Sequence, residues 1–370
     1  MSTPRSGAVI RAVPNATTEA PRHPTCVLIA SHNGEANIAN AVRNASRQCR
    51  VYVVSDGSTD RTAEVARAAG ATVLDLRENV GKPAAIHRAL RELRIVEQYE
   101  TVTVIDDDTT LESGFVRECL DRMREGVGIV VGTTKSDWSS AVRWNPWVAA
   151  RAFGYWKYQL FVRRGQSALN VMNCISGSNS MYRTDLLAEV ARESTPYIVD
   201  DTYWTLEVHR RKLGKIVYAP KAAARVQDPT SGREWYGQNL RWLWGTMQGI
   251  RGHRIGRRAS WFDVAYLGLM LDWLLYVVGW PMMLVFATLA SGVDPVRMFV
   301  VYLAGYFAWS VIGAIALRRW ALIPLFPALL VVDWIQRVNF VHAFVKTIRQ
   351  PTVESCRWNS PTRYAEADAA

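Results

Sequence analysis

Two apolar runs near the C-terminus constrain this chain more than any other feature. Val264–Ala290 is 27 residues with a single charge, Asp272, and Met298–Leu317 is 20 residues with none. At about 1.5 Å of rise per residue, each can cross a hydrocarbon layer about 30 Å thick. The rear of the chain is therefore predicted to sit in a bilayer. Basic residues before the first run (Arg251, Arg254, Arg257, Arg258) and Arg318-Arg319 after the second predict that both flanks lie on the cytoplasmic side. A third stretch is ambiguous. Ala321–Val332 has 12 uncharged residues interrupted by Pro324 and Pro327. Asp333–Gln350 then places Trp334, Ile335, Val338, Val341, Val345 and Ile348 at helical spacing. It reads as a third span whose polar side (Asp333, Gln336, Arg337, Asn339, His342) lines a protein or water cavity. It also reads as a re-entrant segment followed by an interfacial helix. Lys346, Arg349 and Arg357 lean toward the re-entrant form.

Composition enters through an asymmetry. All 15 tryptophans lie at or after Trp138, and indoles collect where an apolar body meets water. The near-zero mean hydropathy of −0.04 is thus an average over two unlike halves. Met1–Pro24, rich in Pro, Ala, Thr and Ser with no apolar core, is expected to be a flexible tail and not a signal peptide. Cys26, Cys49, Cys119, Cys174 and Cys356 show no CxxC spacing, so zinc and a disulfide framework are both disfavoured.

The front half alternates short apolar runs with helix-forming stretches. Cys26–Ala30, Val51–Val54, Thr72–Leu76 and Thr101–Ile105 read as strands. Glu35–Ser46, Thr59–Ala69, Pro83–Val96 and Thr202–Arg211 read as helices. This order predicts right-handed βαβ units, a mainly parallel α/β sheet, and a ligand site beyond the carboxyl ends of its strands. Acidic residues stand at those ends. Asp106-Asp107-Asp108 follows the fourth strand, with Asp106 and Asp108 on one side of an extended segment. Two such carboxylates suit a hard divalent cation shared with substrate phosphates, or else form a solvated turn capping the next helix. Asp56 and Asp60 flank Gly57-Ser58-Thr59 and can serve a turn and a helix cap. Asp200-Asp201 can favour the dipole of the helix after it, or supply a general base beside a diphosphate.

Six segments in order carry a family resemblance: Val54-Ser55-Asp56-Gly57-Ser58-Thr59-Asp60, Val80-Gly81-Lys82-Pro83, Ile105-Asp106-Asp107-Asp108, Ser176-Gly177-Ser178-Asn179-Ser180, Val199-Asp200-Asp201-Thr202 and Gln238-Asn239-Leu240-Arg241-Trp242. The chain resembles the inverting family 2 glycosyltransferases. The last segment is similar to the QxxRW signature of their processive membrane branch, the hyaluronan, chitin and cellulose synthases and nodulation-type N-acetylglucosaminyltransferases. The resemblance implies a GT-A type, Rossmann-like nucleotide-sugar-binding domain followed by transmembrane helices. It implies that Asp56, Lys82, Asp106, Gln238 and Arg241 contact a UDP-sugar. Asp108, with Asp106, would ligate Mg2+ or Mn2+. Asp201 would be the general base, with Asp200 competing for the role because Val199-Asp200-Asp201 replaces the usual Thr-Glu-Asp. Trp242, with Cys174, Ser176 and Gly177, would border the acceptor sugar. Gly34 stands where many relatives have an acidic residue.

The domains expected are a tail (1–24), a cytosolic catalytic domain (25–233), an interfacial helix carrying QxxRW (234–258), a membrane domain of two to three spans (259–350) and a second tail (351–370). The aromatic and basic stretch from Trp138 to Arg164 is expected near the membrane and the acceptor channel. The function expected is transfer of a sugar from a UDP-sugar to a growing polysaccharide, by a multi-pass cell-membrane protein. The alternatives are one transfer onto a lipid-linked acceptor (a glycolipid product), or a non-catalytic basic protein binding membrane or nucleic acid. The apolar spans and the strand-end carboxylates argue against nucleic acid as a partner, although the net charge of +11 would permit it.

Overall fold

The computed structural model describes residues 23–191, 195–292 and 294–352. Apart from His23 and Pro24, which open the first strand, the expected N-terminal tail lies outside these residues, as do Cys356, Arg357 and most of the second tail.

The apolar runs of the front half form β1 (His23–Ser31), β2 (Val51–Asp56), β3 (Thr72–Leu76) and β4 (Tyr99–Asp106), with α1 (Ile38–Ser46), α2 (Thr62–Ala68), α3 (Lys82–Glu92) and α4 (Ile95–Gln98) between them. These are the expected strands and helices, with α1 and α2 shorter at their N-termini and the third helix broken in two. Asp60 begins α2 by accepting the Thr62 N–H at 3.0 Å, so it performs the turn-and-cap role expected of it. Both sheet faces are covered over the central strands, which is why β1 and β2 carry near-continuous apolar runs instead of alternating. Leu28, Val54 and Val104 face one core with Leu90 and Trp204. Val27, Val53 and Ile105 face the other with Ile38 and Phe115.

The chain then adds β5 (Thr110–Leu111), α5 (Phe115–Leu120), β6 (Val127–Ser136), α6 (Pro146–Lys157), a π turn (Tyr158–Arg163), α7 (Arg164–Leu169), β7 (Asn179–Arg183), α8 (Thr184–Val190), α9 (Asp200–Arg211) and β8 (Lys215–Val226). The eight-stranded order is β3-β2-β1-β4-β7-β6-β8-β5. The sheet is mixed, not mainly parallel as expected. β7 returns antiparallel between β4 and β6, pairing Val104 with Ser180 and Val130 with Met181, and β5 pairs antiparallel with β8. The parallel half delivers Asp56 and Asp106 to one edge, and α9 begins at Asp200 beside it.

α10 (Gly232–Gly252) carries Gln238–Trp242 and starts two residues before the helix region expected, capped by Ser231. Trp261–Ser291 continues the chain as α11 (Trp261–Leu274), a π turn (Leu275–Gly279) and α12 (Trp280–Ser291); α13 is Pro295–Leu317 and α14 is Phe326–Arg349. Among the described residues three helices are long and apolar enough to cross a membrane: Trp261–Gly279, Pro295–Leu317 and Phe326–Arg349. The third is one continuous helix, at the stretch where the sequence left both a span and a re-entrant form open. Pro327 sits in the first turn of α14, where a missing N–H costs nothing, and Pro324 precedes the helix. The short apolar run and the amphipathic stretch therefore fuse into one helix of 24 residues.

The polar side of α14 faces protein. Asp333 pairs with Arg337 at 3.0 Å and accepts from the Tyr276 hydroxyl at 3.0 Å. Asn339 donates to the Tyr236 carbonyl of α10 at 3.0 Å, and His342 meets the Tyr236 hydroxyl at 3.0 Å. Elsewhere the apolar side chains of these helices face outward, with Phe286 70% and Leu289 81% exposed, a surface unsuited to water. A separate core joins the two halves. Trp138, Val148 and Phe153 pack with Ala314, Leu322 and Leu329.

Candidate active site

The site is built around Lys82. Its ammonium donates to Asp106 Oδ1 at 2.6 Å and to the Gly177 carbonyl at 3.2 Å. Burial opposes its charge, but Asp106, Asp200 and Asp201 outweigh that and hold the ammonium above the usual lysine range. Three carboxylates thus converge on one cation, leaving an excess of negative charge.

Asp201 is the most perturbed of them. Its carboxyl is pushed up to about 7, first by burial and then by the Asp200 charge, with Lys82 and Arg241 pulling the other way. One oxygen accepts the Gly177 N–H at 3.1 Å, while Oδ1 is buried without a hydrogen-bond partner among the described residues. Asp200 Oδ2 is in the same condition. Gly177 is required here, because a Cβ would stand 2.3 Å from Asp201 Oδ1.

Asp56 is buried at the end of β2, where its two oxygens accept the N–H groups of Val80 and Gly81 at 2.8 and 2.9 Å. It thereby ties the Lys82 loop to the sheet. Asp107 accepts from the Ser31 hydroxyl at 2.5 Å, and Asp108 is buried beside Thr109. Gly34 belongs to the same packing. A Cβ there would meet Ser31 Oγ at 2.2 Å and Asp107 Oδ2 at 2.3 Å, which leaves no room for an acidic side chain.

The segment expected to border the acceptor lies beside Asp201. The Cys174 thiol approaches Thr202 Oγ1 at 3.5 Å and is pushed up to about 12 by burial, so it stays protonated at neutral pH. The Ser176 hydroxyl lies 3.3 Å from Ser178 Oγ and 3.5 Å from Thr134 Oγ1.

The Gln238–Trp242 segment is held from beneath by a residue that the sequence placed only in the aromatic and basic stretch from Trp138 to Arg164. Arg151 of α6 is buried and donates to Gln238 Oε1 at 2.7 Å and to Asn239 Oδ1 at 3.1 Å. Its guanidinium lies 4.5 Å from the Trp242 ring centre and 3.6 Å from the Asp228 carboxylate. Burial pushes the Asp228 carboxyl up to about 6, with Arg151 opposing. The available signal was a lone arginine among Ala149, Ala150, Ala152 and Phe153, on a helix otherwise built to be buried. Of the residues expected in the site, Lys82, Asp106, Gly177, Asp200, Asp201 and Arg241 are linked by contact or charge. Gln238 and Trp242 gather on Arg151, and Asp56 and Asp108 stand behind on their strand ends.

The donor set suits a hard divalent cation. Its oxygens are carboxylate, and Asp106 and Asp108 stand two residues apart at the end of β4, with Asp106 Oδ1 engaged by Lys82 at 2.6 Å. No three His, Cys, Asp or Glu side chains among the described residues form a complete ligand shell. Protein would therefore supply one or two oxygens and leave the rest to phosphates and water, as Mg2+ sites commonly do.

Comparison with known proteins points one way. The family model described as "Glycosyltransferase like family 2" matches residues 21–245. A poly-beta-1,6-N-acetyl-D-glucosamine synthase of Staphylococcus epidermidis is 24% identical over 221 residues, covering 58% of this chain and 50% of that protein. The synthase of the same name from Staphylococcus aureus strain COL is 23% identical over 229 residues, covering 59% and 53%. The chain thus spans about half the length of these relatives. The structure of a mannosyltransferase from Pyrobaculum calidifontis, in complex with GDP-Man and Mn2+, superposes with a TM-score of 0.58 at 17% identity over 89% of this chain and 88% of that one, a likeness of fold.

Proposed function

The chain belongs to the glycosyltransferase like family 2 and has the GT-A fold, and from that premise we propose that it transfers a sugar from a UDP-sugar to a growing polysaccharide with inversion at the anomeric carbon. Asp201 is the general base. Its unpartnered Oδ1 takes the proton of the acceptor hydroxyl as that oxygen bonds to the sugar's C1. The bond from C1 to the diphosphate breaks, and the nucleoside diphosphate leaves with the electron pair. A single observation carries this reading: a buried carboxylate pushed up to about 7, with one oxygen held by Gly177 and the other without a hydrogen-bond partner among the described residues. Such a group is poised to take a proton near neutral pH.

The leaving diphosphate needs positive charge. Arg241 supplies it from α10, and Lys82 does so from the start of α3, where the helix dipole adds to its own charge. A divalent cation held by Asp106 and Asp108 would contribute Lewis acidity to the same phosphate oxygens. Gln238 orients the diphosphate through its amide N–H groups while Arg151 holds its carbonyl. One face of Trp242 rests on Arg151, which leaves the opposite face as a platform for the apolar C–H face of the acceptor. The named relatives are polysaccharide synthases, which supports a polymer as product. The three apolar helices support a multi-pass membrane protein, with the catalytic domain on the cytoplasmic side where nucleotide sugars are available. The deciding experiment is Asp201→Asn in the full chain, read by UDP release. Transfer should be abolished while UDP binding persists, and retained turnover would remove Asp201 from the base role. Mass analysis of the product then separates polymer from a single added sugar on a lipid acceptor.

A further inference from the structure

A pocket of about 220 Å3 lies where the catalytic domain meets the C-terminal end of α13, away from the Lys82 site. Its lining includes Ser139, Arg143, Arg318, Arg319 and Trp320. Among the described residues none of the three arginines forms an ion pair, so three positive charges share a small concavity. The backbone holds them in place. Trp138 Nε1 donates to the carbonyls of Val142 and Arg143 at 3.2 and 3.1 Å. Arg318 ends α13 in the left-handed region at φ 54°, and the Arg319 N–H returns to the Ala314 carbonyl at 2.9 Å. The Arg319 guanidinium lies 5.7 Å from the Trp138 ring centre. The Trp320 indole in the lining is exposed, and the Arg143 guanidinium lies 5.2 Å from the ring centre of the exposed Trp144.

The depth of the pocket is set by the helices, an inference that rests on the membrane placement proposed above. α13 ends at the pocket, and its exposed apolar residues Ile312 and Ile315 begin within a turn or two of it. At the start of α11, Trp261 Nε1 donates to the Leu169 carbonyl of the catalytic domain at 3.3 Å. A second basic pocket there carries Lys212, Lys215 and Arg258. Both ends therefore lie on the side of the catalytic domain, at the level where indoles and basic residues meet headgroups.

We propose that the Arg143–Arg318–Arg319 pocket binds the phosphate of an anionic phospholipid from the leaflet facing the catalytic domain. Guanidinium groups match phosphate oxygens in paired hydrogen bonds. An anionic leaflet concentrates such headgroups. The apolar flank of α13 receives the acyl chains, which a free phosphate ion would leave uncovered.

The test uses the purified full chain in detergent, titrated with fluorescent phosphatidylglycerol and with phosphatidylcholine of the same acyl chains. Phosphatidylglycerol should bind on the order of tenfold more tightly. Arg318→Ala/Arg319→Ala and, separately, Arg143→Gln should erase that preference, while Arg94→Ala, on a remote exposed helix end, should keep it. Flotation on neutral vesicles reports folding and membrane association for every variant. Failure of the unaltered chain to float would overturn the membrane reading and this site with it, whereas floating without a lipid preference would overturn this site alone. If the double variant misfolds, Arg143→Gln on its loop decides alone. Equal binding of the two lipids, or a preference that survives both variants, overturns the proposal. Displacement of phosphatidylglycerol by millimolar inorganic phosphate would make this a free-anion site, and displacement by single-stranded DNA a nucleic-acid surface, and either also overturns it.

Discussion

Arg151 Nη2 donates to Gln238 Oε1 at 2.7 Å across the gap between α6 and α10, two helices 87 residues apart in the chain at that contact. The same guanidinium neutralises Asp228 and underlies Trp242. Through this contact the Gln238–Trp242 segment of α10 takes its position from α6, not only from its own sequence.

Arg151→Met should therefore act on stability and on activity together. It leaves the Asp228 carboxylate buried without its cation, a change that costs about 3 kcal/mol when one partner of a buried pair is removed. The thermal midpoint should fall accordingly, and Arg151→Met/Asp228→Asn should recover most of that fall. Activity should not recover in the double variant, because Gln238 and Trp242 remain unsupported. Thermal unfolding and UDP release on the same preparations check this pair of outcomes.

The raised carboxyl of Asp201 predicts a pH dependence. A base must be deprotonated, so kcat/KM should rise with pH through about 7. Burial contributes most of the elevation and the Asp200 charge comes second, so Asp200→Asn should move this limb to lower pH. Stability runs in the opposite sense. The native state holds the proton that the unfolded chain, with an ordinary carboxyl value of 3.8, has released. This contribution is present below the unfolded value and is lost as pH rises through about 7. Asp201→Asn should flatten that part of the stability profile. An unchanged profile in the variant would contradict the assignment.

Gly177→Ala should leave the fold intact and damage the reaction. The added methyl would lie 2.3 Å from Asp201 Oδ1, so the carboxylate must move. Displacing a catalytic group by about 1 Å can cost on the order of 100-fold in rate. Circular dichroism should match the unaltered protein while turnover falls by roughly that factor.

Chelation with EDTA should stop UDP release, and added Mn2+ or Mg2+ should restore it. Asp108→Asn and Asp106→Asn should weaken cation binding measured by calorimetry in the presence of UDP. Asp106→Asn should also loosen Lys82, which loses its partner at 2.6 Å, so its loss of affinity should be the larger of the two.

Much of the fold was legible in the order of residues alone. The runs at 26–30, 51–54, 72–76 and 101–105 all became strands, the central three of them buried and 72–76 a half-buried edge, and the carboxylates at the ends of β2 and β4 share one side of the sheet. The later strands were not legible in the same way. β7 reads Asn-Ser-Met-Tyr-Arg, which carries little apolar pattern of its own. It is a strand because β4 and β6 pair with it on either side, and a pairing between Ile105 and Asn179 leaves no local trace. Arg151 was hidden for the same reason, since its partners lie on α10 and in the loop before it. Pro324 and Pro327 misled in another way. A proline that ends one helix also begins another, and only the register of α14 shows which.

The union of α10 with α14 bears on how this enzyme can be handled. Trp244 Nε1 and Gln248 Nε2 both donate to the Gln350 carbonyl, and the Lys346 ammonium lies 4.1 Å from the Trp244 ring centre. A fragment cut after Arg258 to obtain water-soluble material would keep every side chain of the candidate site named above. It would also strip the backing from the helix that presents Arg241 and Trp242 and expose the apolar flank of α6. The apolar C-terminal helices are thus part of the enzyme's scaffold, and truncation is a poor route to an active soluble form.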